Sequence, residues 1–353
     1  MRSKEFITEK SNASAIQNTI NNKINSIFDI DELNQIYSYI RKIDIGGGFE
    51  AVFQKDEDLR QINTLITRAM IDVKAPFEDK INFAKELVEN GIINIDALMN
   101  SGVKQQLTDI VQTAYPGIFQ QIYPELINIA GAFASGGKKT QRGKGEFFLA
   151  ISSPRISMSK DNGKGDLVID KAIWLEVKSN LSRIKGRNGY GTTDAAYQKI
   201  KTEIPKFLKK NLPKIAAPAY SVGIGQRSTF WNEFGPFCIS NGVPANLVIK
   251  FIKSQLAEVI KSMYINIDNG SLTEFMDCID STTGSMAWPD FVNITKRVAF
   301  QYYKNSDEFN GILLINGDSC LYVENAEQFV SSVRLKKLGF ETGQQNGLQI
   351  EFK

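Results

Sequence analysis

Glu146, Asp166, Glu176 and Lys178 carry the clearest chemical signal in this sequence. Each acid borders or interrupts an apolar run. Glu146 precedes Phe147-Phe148-Leu149-Ala150, Asp166 precedes Leu167-Val168-Ile169, and Glu176 lies within Trp174-Leu175-Glu176-Val177-Lys178. Side chains alternate along a strand, so Glu176 and Lys178 share one face while Leu175 and Val177 take the other. Suppose the two later runs form a hairpin through a three-residue loop, Asp170-Lys171-Ala172. Ile169 then pairs with Ile173, and Asp166 stands opposite Glu176. Cβ atoms of such a pair lie about 4.5–5.5 Å apart, and two carboxylates that close repel each other unless a cation sits between them. All-oxygen ligation suits Mg2+ or Mn2+. Such an ion lowers the pKa of a bound water and stabilises charge on a phosphoryl group, while Lys178 beside it would orient the water or offset charge. Glu146, at the head of a helix, would be a third ligand or would hold a water of the metal. A two-residue turn would instead shift the register by one and send the acids to opposite faces. Asp170 is the substitute for Asp166 in a different register.

Composition narrows the chemistry further. The 353 residues contain no histidine, which excludes Ser-His-Asp triads, Cys-His pairs, histidine metal clusters and histidine general bases. Cys238, Cys278 and Cys320 are odd in number and lack paired spacing, so they fit buried thiols in a reducing interior rather than a disulfide framework or zinc knuckle. The 42% hydrophobic fraction is that of a globular chain. The sequence shows no apolar run of about 18 residues and no apolar core near the N-terminus, so neither a membrane span nor a signal peptide is expected. The expected location is cytoplasmic, in a host cell or as the product of a virus.

Net charge is +3, but it is unevenly distributed. Residues 1–137 carry 13 basic and 18 acidic side chains, residues 138–210 carry 17 and 7, and residues 211–353 carry 12 and 14. The acids with metal-binding potential therefore lie in the one basic region, as suits a polyanionic substrate. Lys138, Lys139, Arg142 and Lys144 line a glycine-rich joint from Ser135 to Lys144 that reads as an exposed, DNA-facing loop. Arg183, Lys185, Arg187 and Tyr190 form a second basic loop suited to gripping a phosphate backbone, with Tyr190 stacking on a base or sugar.

Glu146, then Gly165-Asp166, then Glu176-Val177-Lys178 resemble the PD-(D/E)XK nuclease superfamily. The resemblance covers residues 138–210, with the strand-like run 311–315 returning to the same sheet. It implies a restriction-endonuclease-like fold of α/β (α+β) class, in which a mixed sheet is flanked by helices. It also implies metal ligation by Asp166, Glu176 and the Val177 carbonyl, with Lys178 acting on the nucleophile. Glycine stands where the superfamily usually has proline before the aspartate. The Gln-x-x-x-Tyr of the exonuclease branch is absent, since Gln198 is followed at that distance by Thr202. A Mg2+-dependent DNA endonuclease is therefore expected, with DNA as partner, no membrane association, and a homodimer compatible with it. The alternative is a nucleic-acid-binding or assembly protein that keeps the fold without cutting.

Other elements must position these residues. Helical spacing marks residues 31–43, 59–73, 77–90, 97–99 and 103–113, giving a mainly helical N-terminal region over 1–137. The nuclease domain is expected over 138–353, with its core at 138–210, an insertion at 211–308 and returning strands at 309–353. Gly46-Gly47-Gly48 lacks a P-loop lysine and reads as a turn. A helix is expected from Thr193 or Asp194 to about Pro205 or the lysines after it, and another over 245–260. Runs 311–315 and 320–323 form a hairpin through Asn316-Gly317-Asp318, and 338–352 form another. Phe230 and Trp231, in Gln226–Trp231, are expected to pack beneath a loop.

Overall fold

The structure, a computed structural model, describes residues 30–43, 56–134, 143–159, 164–179, 182–184, 194–216, 218–264, 266–339 and 347–352. Gly46-Gly47-Gly48, the joint from 135 to 142 and the loop from 185 to 193 lie outside them. In chain order the described elements are α1 Ile30–Ile40, α2 Asp56–Asp72, α3 Phe77–Glu89, α4 Ile95–Leu98, β1 Lys104–Gln106, α5 Pro116–Ala134, α6 Lys144–Ser152, β2 Ile156–Met158, β3 Leu167–Ile169, β4 Ile173–Ser179 and β5 Arg183–Ile184. They continue with α7 Asp194–Asn211, a π-helical turn Phe230–Phe234, α8 Gly235–Ser240, α9 Ala245–Met263, α10 Asn269–Asp277, α11 Trp288–Asp307, β6 Gly311–Asn316, β7 Ser319–Val323, α12 Ala326–Ser332, β8 Val333–Gly339 and β9 Gly347–Phe352. This is a mixed α/β architecture.

The chain forms two compact units that interleave in sequence. The first takes residues 1–95, 109–160 and 167–172, and the second takes 96–108, 161–166 and 173–353. Residues 143–159 group with the N-terminal helices. The reason is apolar packing. α6 is buried from Glu146 to Ser152, with Phe147, Phe148, Leu149 and Ile151 as its apolar bulk, and Phe148 meets Tyr123 of α5 edge-on at 5.5 Å. Beside α5 and α6, helices α1 to α3 bury Ile36, Ile66, Met70, Phe83 and Leu87. β2 and β3 pair antiparallel, Ile156 with Ile169 and Met158 with Leu167, all four buried.

In the second unit, β1, β7, β6 and β4 are hydrogen-bonded in that order. β4 runs parallel to β6, with Glu176 beside Ile312 and Lys178 beside Leu314, while β6–β7 and β7–β1 are antiparallel. The strand at 311–315 thus lies beside the one that carries Glu176 and Lys178. A parallel pair cannot be joined by a tight turn; here the crossover carries α7 to α11. That excursion has its own core, centred on Val248, Ile252, Leu256 and Val259 of α9 and on Phe230, Trp231 and Phe234 of the π-helical turn. Trp231 is fully buried, and its indole N–H donates to the Val222 carbonyl at 3.2 Å. β5, β9 and β8 form a separate small sheet. The β8–β9 pairing begins at Val333, upstream of the expected residue 338.

One expected helix is absent. Val103, Leu107 and Ile110 have helical spacing, yet Lys104–Gln106 is a strand on the edge of β7. Gly102, at φ 79°, turns the chain there, and the Leu107 amide donates to the Asp318 carbonyl at 2.5 Å. Pairing at an open sheet edge outweighs the weak propensity of this polar segment. α7, by contrast, runs through Pro205 and the lysines to Asn211. The three cysteines are buried.

β6 starts where two backbones nearly touch. A Cβ on Gly311 would lie 2.7 Å from the Val323 carbonyl oxygen and 2.7 Å from the Tyr322 hydroxyl. Gly311→Ala should therefore cost roughly 1–3 kcal/mol through overpacking, read as a lowered urea midpoint with an unchanged m-value.

Candidate active site

The residues expected to do chemistry assemble around β4. Strand alternation places Glu176 and Lys178 on one face, and the Lys178 ammonium donates to Glu176 Oε1. Glu176 is only 5% exposed. A second donor converges on the same oxygen, the hydroxyl of Tyr303 from α11. Tyr303 is itself buried, packs edge-on against Phe309 at 5.1 Å, and lies with its ring 5.4 Å from the Lys178 ammonium.

Asp166 reaches the same place by an unexpected route. The turn after β3 has two residues, not three. Asp170 and Lys171 occupy it with φ of 50° and 60°, and the Ala172 amide donates to the Ile169 carbonyl at 3.0 Å. A two-residue turn with both central residues left-handed matches the twist of the flanking strands. The expected loop Asp170-Lys171-Ala172 is thus corrected, and Asp166 stands opposite Leu175, to whose carbonyl its amide donates at 2.7 Å. In a regular strand that register would separate the acids. Asp166, however, precedes β3 and follows Gly165 at φ 50°, so it is off the pleat. Its Oδ2 accepts the Val177 amide N–H at 2.9 Å.

Gly165 also explains the missing proline. Proline is held near φ −65° and cannot adopt this conformation, and a Cβ at Gly165 would lie 2.7 Å from the Leu175 carbonyl oxygen.

Electrostatics tie the two acids together. Burial pushes the Glu176 carboxyl up, and the negative charge of Asp166 pushes it further, to about 7, although Lys178 and Tyr303 pull it back. Burial, followed by the charge of Glu176, drives the Tyr303 hydroxyl far above its usual range, so it stays protonated and donates. A buried carboxylate raised by a neighbouring carboxylate is a place where a divalent cation relieves both penalties. The donor set, two hard carboxylates without nitrogen or sulfur, fits Mg2+ or Mn2+. Among the described residues no three or more His, Cys, Asp or Glu side chains gather as a metal group. An ion at this pair would therefore keep much of its water, as magnesium commonly does.

The remaining expected residues lie on several elements. Glu146 lies in the first unit, is 6% exposed, and its Oε1 accepts the Gly143 amide N–H at 2.7 Å, closing the first turn of α6. Lys144 is exposed in that turn. Asp170 forms a two-pronged pair with Arg155, at 2.9 and 2.6 Å, and is not a substitute for Asp166. Arg183 lies on β5, and Val177 is buried in β4. Lys138, Lys139, Arg142, Lys185, Arg187 and Tyr190 lie outside the described residues. Tyr303 is the residue that sequence reasoning missed. Its place on the apolar stripe of α11 hinted at burial, and a buried tyrosine needs a hydrogen-bond partner, but nothing in the sequence named Glu176.

The raised Glu176 pKa fixes the sign of a pH dependence. The fold favours the neutral carboxyl, so this group's contribution to stability is fully present below its unfolded-state pKa and is lost as pH rises through about 7. In chelator, the urea midpoint should fall between pH 5 and pH 8.5, and Glu176→Gln should flatten that fall. An unchanged slope in the variant would refute the assignment. No protein-family model, curated protein or solved structure matches the chain, so the chemistry of this site rests on its own geometry.

Proposed function

We propose that the protein is a metal-dependent DNA nuclease of the PD-(D/E)XK type, an endonuclease with a restriction-endonuclease-like core. The observation that carries this reading is the convergence of Asp166, Glu176 and Lys178 at a buried, electrostatically loaded point on β4. Two further features support it. β4 is joined by a parallel β6 that follows a helix, the order of elements the sequence resemblance implies. Residues 138–210 carry a net charge of +10, which suits a phosphate backbone.

In this reading Asp166, Glu176 and the Val177 carbonyl would hold Mg2+ or Mn2+. When bound, the ion supplies a more acidic water and stabilises charge at the phosphoryl centre. The side chains do the positioning. Asp166 is held by the Val177 amide, so its carboxylate is fixed relative to β4. Tyr303 and Lys178 both engage Oε1 of Glu176 and set its rotamer. Lys178, on a rigid strand and only partly exposed, keeps an ammonium where negative charge develops during phosphodiester hydrolysis. Glu146, whose Oε1 closes the first turn of α6, would be a third ligand or would hold a water of the metal.

Cleavage of closed-circular and linear DNA, in magnesium or in chelator, tests the proposal. The wild type should nick closed circles only with metal. Glu176→Ala and Lys178→Ala should lose cutting by about 100-fold or more while still binding DNA. Tyr303→Phe, which removes one donor to Glu176, should retain measurable cutting but lose roughly tenfold. Undiminished cleavage by Glu176→Ala would remove the site. DNA binding without cleavage under any metal condition would favour the non-catalytic alternative.

A further inference from the structure

We propose that the first unit carries a binding site for a nucleoside phosphate, in a cavity of about 660 Å³ beside the turn Asp170–Lys171. That volume is within the range of small-molecule sites, roughly 300–1,000 Å³. The cavity is lined by none of Asp166, Glu176, Lys178 or Tyr303.

Its lining has two characters. Val88 and Pro154 offer apolar surface on which a base can lie, backed by the buried Ile43, Leu87 and Ile151. Lys42, Arg155 and Lys171 bring three cations against one acid, Asp170. Neither Lys42 nor Lys171 makes an ion pair among the described residues. Arg155, in contrast, is fixed by its two-pronged contact with Asp170, and that contact holds the Asp170 carboxyl below its usual range. The result is an Arg–Asp corner flanked by the Lys171 ammonium and by that of Lys42, which lies 4.9 Å from the centre of the Tyr39 ring. A phosphate dianion suits the ammonium groups, and the corner and the Ser157 hydroxyl suit the polar edge of a base or the hydroxyls of a sugar.

The backbone supplies an independent observation. Asp170 and Lys171 both have left-handed φ, where the cheapest second residue of such a turn is glycine. A lysine at φ 60° is held at an energetic cost, and its side chain lines the cavity. Residues kept in unfavourable backbone regions cluster at binding and catalytic sites. A turn with only a structural role would be satisfied by Asp-Gly.

This gives a test that separates folding from binding. Lys171→Gly relieves the φ penalty, so its melting midpoint should equal or exceed that of the wild type. Titration calorimetry of the full chain, in chelator, should show adenosine monophosphate binding at least tenfold more tightly than adenosine or inorganic phosphate. Lys171→Gly and Lys42→Glu should each weaken it by roughly tenfold, the worth of one charge-assisted contact. Binding should persist in Glu176→Gln, which places it outside the nuclease site. The proposal falls if the nucleotide binds no better than phosphate, if Lys171→Gly binds like the wild type, or if Glu176→Gln abolishes binding. None of these outcomes bears on DNA cleavage.

Discussion

One oxygen atom organises the chemistry of this protein. Glu176 Oε1 lies almost fully inside the second unit and accepts from both Lys178 and Tyr303. An isolated carboxylate removed from water pays several kcal/mol in lost solvation. The two donors offset part of that cost, and the remainder appears as a carboxyl raised to about 7. The arrangement also accounts for the long excursion between β4 and β6. The chain leaves β4, builds a helical body with its own core, and returns through α11. There Tyr303 caps Glu176, shortly before β6 pairs with β4. Closing a longer loop adds little entropy cost, so a large insertion can coexist with a precisely returning strand.

Asp166 depends on a different constraint. It owes its place to Gly165, whose left-handed backbone and missing Cβ let the chain pass so close to Leu175 that a Cβ there would lie 2.7 Å from the Leu175 carbonyl oxygen. The carboxylate then takes over the Val177 amide. Asp166 is thus oriented by a backbone amide and Glu176 by two converging donors, Lys178 and Tyr303, the kind of preorganisation that a hard-cation site requires.

What could be read from the sequence followed local periodicity. Alternation placed Glu176 and Lys178 on one face, and turn chemistry located the β6–β7 hairpin at Gly317-Asp318, where Gly317 has φ 59°. Helical spacing found α2, α3 and α9 within a few residues of their ends. Register was not legible, because Asp170-Lys171 does not carry the Asn-Gly or Asp-Gly signature of a two-residue turn, and a loop one residue longer looked equally good. Asp166 nonetheless accepts the Val177 amide next to Glu176, through a glycine conformation that no alternation rule describes. Nor could Tyr303 be foreseen. It lies 127 positions from Glu176, and an apolar stripe reports that a residue is buried, not whom it touches. The strand at Lys104–Gln106 was hidden for the same reason, since an open sheet edge elsewhere in the chain decided a segment of weak intrinsic preference.

The central claim is that Asp166 and Glu176 together hold a divalent cation. Anomalous diffraction from crystals grown with Mn2+, collected above the manganese edge, tests it without reference to any substrate. The account predicts a single strong peak bonded to a carboxylate oxygen of each residue, absent from Glu176→Ala crystals. No manganese at these carboxylates, in a protein that nonetheless cleaves DNA with manganese, would contradict it.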